Sequence, residues 1–238
     1  MATAVVPGAS FGSRKTAAPR WHTTVLIVFF ALLALAGTML QHGSQGRSEL
    51  LERRPDVVLM YLSLISGELG LAFYVWRGLR RNGMALREII GGRWGSPRAI
   101  LLDLGLALAA WLVLQGISMA WEKWVGLGGA ASIATMAPRG VLESVLWLTL
   151  SASAGFSEEL VFRGYLQRQL TSFTGSTWLA LVFQVCIFGI AHSYQGVRNG
   201  LFIAMYGAVL TMLALWRKSL RPGMIAHAWT DILGGFLR

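Results

Sequence analysis

Seven apolar runs follow one another along the chain, and little else competes with them as a constraint on the fold. They cover residues 23–40, 57–76, 100–121, a stretch that opens at Val141, and then 178–191, 201–216 and 222–237. A helix needs about 20 apolar residues to cross a hydrocarbon layer, and in lipid each backbone polar group must find its partner inside the protein. The runs therefore predict an all-α fold, a polytopic transmembrane helical bundle of about seven helices. Charge supports this. Only 13% of the 238 residues are charged, against about 25% in soluble domains. Trp21, Trp76, Trp121, Trp124, Trp178 and Trp216 fall at the edges of runs, where interfacial aromatic belts lie.

The formal net charge is +10. A basic balance can serve nucleic acid, but here the cations sit in loops between apolar runs. That placement predicts membrane orientation and contact with anionic lipid, and no nucleic-acid partner. Residues 1–20 read as a short disordered cytoplasmic tail with Arg14, Lys15 and Arg20. Residues 21–140 hold the N-terminal membrane helices and a basic loop, and residues 141–238 form the part that carries the chemistry. The basic loop, residues 77–99, holds six arginines against Glu88. By the positive-inside rule it is cytoplasmic, together with the N-terminal tail and the segment carrying Arg217, Lys218 and Arg221. The first run could also be a signal peptide, because Ala34-Leu35-Ala36 resembles a cleavage site. Its length favours an uncleaved helix. Cys186 is the single cysteine, so no intramolecular disulfide forms, and its apolar surroundings predict a buried thiol.

Ionisable residues are costly inside a bilayer, by about 2.5–3.5 kcal/mol each on insertion scales, and they mostly face a cavity or a partner. Glu68, Asp103, Glu143, Glu158, Glu159, Arg163, His192, His227 and Asp231 all fall within or beside apolar runs. Glu68 and Asp103 read as packing or interface groups. Glu143 and His42 read as wet helix ends. In "SEELVFRG", residues 157–164, Glu159 and Arg163 are four apart and share a helical face, so they can pair. Glu158 is turned about 100° away and lacks that partner. A break is expected at Gly155-Phe156-Ser157, with Ser157 capping a new turn. In "FGIAHS", Phe188 and His192 are four apart, and in "HAWTD", His227 and Asp231 are four apart. Each pair has a structural reading as an ion pair, a hydrogen-bonded histidine or an interhelical clasp. Their convergence is what raises the chemistry: three helices each bring a titratable group.

A glutamate, two histidines and an aspartate could bind zinc. They could also activate water directly, the carboxylate taking a proton and imidazole N–H groups steadying an oxyanion. The HExxH helix of zinc proteases and the GxSxG elbow of serine hydrolases are both absent from the sequence. A proton-coupled carrier would use similar groups, but no inverted repeat is visible.

"EELVFR", "FGIAH" and "HAWTD" resemble, in order, the EExxxR, FxxxH and HxxxN/D motifs of the CAAX prenyl protease and bacteriocin-processing family, which includes the Ras-converting enzymes and the Abi proteins. The resemblance runs from about residue 141 to 237. It implies an intramembrane glutamic endopeptidase that needs no metal and no cofactor and acts on a membrane protein or peptide. Glu158 would be the base, activating water with His192, while Glu159 and Arg163 hold it in place. Phe188 supports this centre, and His227 and Asp231 would form the oxyanion site. Asp231 stands where the family often has Asn. An ionised aspartate cannot donate to an oxyanion, so Asp231 is expected to orient His227, which then donates. A bacterial inner membrane is the expected location. The alternative within the same family is a non-catalytic membrane scaffold or immunity-type protein.

Overall fold

The computed structural model describes residues 16–44, 56–126 and 136–237. Most of the expected tail lies outside them, as does the side chain of His42. Every apolar run falls on a helix: α1 (Arg20–Ser44), α2 (Val57–Arg81), α4 (Pro97–Val125), α5 (Gly140–Glu158), α7 (Thr177–Ala191), α8 (Val197–Arg217) and α9 (Arg221–Phe236). Two short helices add to these, α3 (Leu86–Ile90) in the basic loop and α6 (Gln167–Thr174). The architecture is all-α. Helix starts follow local chemistry: Asp56, Ser96 and Ser176 each accept a backbone N–H of their own first turn, which satisfies donors the helix cannot.

Among the described residues, four helices are long and apolar enough to cross a membrane, namely α1, α2, α4 and α8. Their outward faces carry exposed Leu32, Leu59, Leu101 and Trp216. Inside, the bundle buries Asp103, Glu159, Arg163, Gln167, Arg168, Gln169 and Gln184. Apolar outside and polar inside is the pattern of a protein whose solvent is lipid. Cys186 belongs to the outer face: it is exposed on α7 beside Val182 and Ile190 rather than buried as expected. The apolar run hid a lipid-facing position, because in a bilayer hydrophobic does not mean inside.

No break occurs at Gly155-Phe156-Ser157. The chain runs as one rod from α5 through a π-helical segment, Glu159–Leu166, into α6. Ser157 is buried within this rod and caps nothing. Gly155 is needed instead for packing, since a Cβ there would lie 2.8 Å from the carbonyl of Met224 on α9. The rod is the centre of the molecule, and all eight residues of its π-helical segment are buried. Helix α2 flanks it in parallel. Tyr61 meets Trp147 at 5.5 Å between ring centroids, and further along Val75 shares a core cluster with Val161 and Phe162. Helix α9 flanks it antiparallel, with Gly223 beside Glu159 and Gly235 beside Trp147.

The three basic segments meet at one end. Asn82 donates to the carbonyl of Thr16 (3.2 Å), and the Leu220 N–H donates to the carbonyl of Ile90 (3.0 Å). Ala17 and Ala18, within the expected tail, are fully buried and bonded to Gln169. Asp103, fully buried on α4, ties the basic loop to the α8–α9 turn. It accepts from Arg217 Nε at 2.8 Å and Trp94 Nε1 at 2.7 Å, with Arg221 Nη1 at 3.7 Å.

Candidate active site

At the junction of α5 and the π-helical segment, Glu158 and Glu159 diverge as the helical geometry requires. Glu159 turns inward. Its Oε1 lies 3.2 Å from Arg163 Nη1, and both side chains are fully buried. The Arg163 guanidinium sits over the ring of Phe188, 4.1 Å from its centroid, a cation–π contact that is worth most where water is excluded. Helix α8 makes room for this with Gly207, where a Cβ would stand 2.9 Å from Phe188 Cδ1 and 3.1 Å from Arg163 Nη2. Phe188 touches His192 on another side, at 4.7 Å between centroids. Arg163, Phe188 and His192 thus form one continuous run of contacts across two elements, the two rings meeting edge to face.

Glu158 faces the opening, with 14% of its side chain exposed. His192 Nε2 lies 3.9 Å and His227 Nε2 3.8 Å from its Oε2. Asp231 Oδ2 is 3.7 Å from His227 Nε2 and is the most open group of the cluster, at 35%. All seven residues singled out in the motifs are therefore brought together: Glu158, Glu159, Arg163, Phe188, His192, His227 and Asp231. Their meeting depends on two short helices. Helix α7 has 15 residues and α9 has 16, about 22–24 Å at 1.5 Å per residue, shorter than the roughly 20 residues a typical span takes. His192 sits at the C-cap of α7. His227 lies six residues into α9, about 10 Å from the basic end.

Each imidazole is oriented through Nδ1. His192 Nδ1–H donates to the Phe188 carbonyl at 2.8 Å. His227 Nδ1–H donates to Glu159 Oε1 at 3.0 Å. The orienting bond expected from Asp231 is thus made by Glu159, because the crossing of α9 over the rod brings Nδ1 to that carboxylate. With Nδ1 committed, neutral His192 presents a lone pair at Nε2, and His227 donates from Nε2 only as the imidazolium.

Glu68 reads from the sequence as a packing or interface group, and the structure brings it near the cluster. Glu68 on α2 lies within electrostatic reach of Glu158, His227 and Asp231. The available signal was an acid in the middle of an otherwise apolar run, but nothing in the spacing tied it to the three motifs. Among the described residues, no group of three or more His, Cys, Asp and Glu has the arrangement of a metal site.

A lipid-facing helical bundle that encloses carboxylates, imidazoles and a buried arginine defines an integral membrane protein with a polar centre. Residues 140–233, from the start of α5 into α9, match the family model described as type II CAAX prenyl endopeptidase Rce1-like. This segment, which holds all three motifs, is similar to that CAAX prenyl endopeptidase family. No curated protein and no solved structure matches the chain.

Proposed function

We propose that the protein is an intramembrane glutamic endopeptidase that hydrolyses a peptide bond near one membrane face, with Glu158 as base. The observation that carries this reading is the position of Glu158, which stands 3.8 and 3.9 Å from two imidazole nitrogens while its neighbour Glu159 is locked to Arg163. Such gaps are too long for direct hydrogen bonds and suit a bridging water.

The chemistry follows from the hydrogen-bond partners. A water held between Glu158 and His192 gives one hydrogen to the carboxylate and the other to the Nε2 lone pair. Its own lone pair then faces the scissile carbonyl carbon. As the C–O bond forms, the proton passes to Glu158, and negative charge builds on the carbonyl oxygen. His227, as the imidazolium, donates from Nε2 to that oxyanion, with Asp231 at the same site. The C–N bond then breaks, and Glu158 returns the proton to the leaving amine. Glu159 and Arg163 hold the base and His227 in register, and Phe188 carries His192. The substrate is a membrane protein or peptide, with trimming of a C-terminal segment as one form of the reaction. A multi-pass protein of the bacterial inner membrane, its basic end in the cytoplasm against anionic lipid, fits the loop charges.

The test compares membrane and secreted proteomes from cells making the native protein and Glu158→Ala at equal abundance. A terminus trimmed only by the native protein is expected. Identical proteomes, or variants at Glu158 and His192 that merely lower abundance, would favour the scaffold reading instead. Activity should persist in chelator, and zinc-restorable loss would move the chemistry to a metal.

A further inference from the structure

Glu68 reaches the site from α2, an element that none of the three motifs includes. Its placement follows from helix register. Tyr61 packs against Trp147 at 5.5 Å, and α2 and α5 run parallel. Seven residues on, two turns along the same face, Glu68 stands level with the α5 turn just before Glu158. Glu68 Oε2 is buried and has no hydrogen-bond partner among the described residues. Its electrostatic neighbours are Glu158, His227 and Asp231, and Tyr194, in the turn after His192, lies within reach of both Glu68 and Glu158.

Acids outnumber cations here even with His227 as the imidazolium. Glu159 has Arg163 as its counter-ion. Among the described residues no lysine or arginine makes an ion pair with Glu68, Glu158 or Asp231. An acid that lacks a partner in a lipid-embedded site is costly, and a cation brought by a ligand would relieve it. An apolar groove of about 250 Å³ lies between α5 and α9, lined by Phe156, Met224, Ala228 and Trp229. A membrane peptide with a lysine or arginine inside an apolar stretch would supply such a cation.

We propose that Glu68 reads a cationic group of the substrate, a lysine or arginine side chain close to the scissile bond. The proposal rests on the endopeptidase reading for the identity of that ligand as a substrate. Glu68 is then a specificity residue, and α2 forms part of the binding wall.

The experiment uses the full chain in detergent micelles and two labelled apolar peptides that differ only in a central lysine or glutamine. The expected result is about tenfold tighter binding of the lysine peptide, the scale of a charge-assisted hydrogen bond. Acetylation of that lysine should abolish the preference. Glu68→Gln should bring the two affinities together, and Glu68→Lys should favour a glutamate peptide. A zero-length carbodiimide cross-link from the peptide lysine should map to Glu68 in the unmodified protein, which needs no variant to fold. Equal binding of the two peptides, a lysine preference that survives Glu68→Gln, or cross-links only to other carboxylates would overturn the proposal. Cleavage of both peptides alike would overturn it while leaving the endopeptidase reading standing. A Glu68-dependent lysine preference without any cleavage would count against the endopeptidase reading while leaving Glu68 as the group that binds the cation.

Discussion

Asp103 and Glu158 are both carboxylates enclosed by the same bundle, and their surroundings differ in kind. Both oxygens of Asp103 are saturated, at 2.8 Å from Arg217 and 2.7 Å from Trp94. Glu158 meets its two imidazoles at 3.8 and 3.9 Å, beyond hydrogen-bond reach. One acid closes a clasp between a loop and a helix turn. The other is held near its partners but left with capacity to spare. Asp103 ties two segments of the fold together, whereas the open capacity at Glu158 is what the proposed reaction depends on.

The largest expected effect separates the two directly. Glu158→Gln should lower turnover by about 10³-fold or more, the scale of a lost general base, with membrane abundance and thermal unfolding unchanged. A matching fall in abundance would make Glu158 a second Asp103. Arg163→Met should act on the fold instead. It leaves Glu159 buried without its ion partner, at a cost of about 3–5 kcal/mol, visible as early unfolding in a detergent melt. Asp103→Asn leaves Arg217 and Arg221 short of a charge partner and should cost about 2 kcal/mol of stability, while any correctly folded fraction keeps its turnover. Gly207→Ala crowds Phe188 and Arg163 and should cost about 1–3 kcal/mol, with reduced kcat because His192 hangs on the Phe188 carbonyl. The smallest effect is expected from Asp231→Asn. Since Glu159 makes the orienting bond to His227, turnover should stay within about fivefold, or roughly 1 kcal/mol. A loss as large as that of Glu158→Gln would return the orienting role to Asp231.

The helices were legible in the sequence because length and hydropathy suffice in lipid, and each expected run lies on a helix. The Glu159–Arg163 pair was legible from its spacing of four. Other features were not. The unbroken rod replaced an expected break at Ser157, because glycine at 155 serves close packing against Met224 rather than chain reversal. The partner of His227 came from a different helix, and i,i+4 spacing speaks only of contacts within one helix. Glu68 shows the same limit. Its neighbours are more than 80 residues away in sequence, and register between α2 and α5 is set by side-chain packing that no local pattern encodes. The meeting of His192 with Glu158 likewise depends on α7 stopping short, a depth that loop charges cannot give.

The fully buried middle of the rod has a consequence for how the protein is made. Glu159, Arg163 and Arg168 all lie within it, and each costs about 2.5–3.5 kcal/mol to enter a bilayer alone. This stretch cannot partition into lipid by itself as it leaves the ribosome. It has to enter against walls already present, with α1 and α2 waiting and α7 to α9 still to come. Biogenesis of this chain is therefore a group event rather than a helix-by-helix one, and a chain lacking α1 and α2 would strand its central rod outside the membrane.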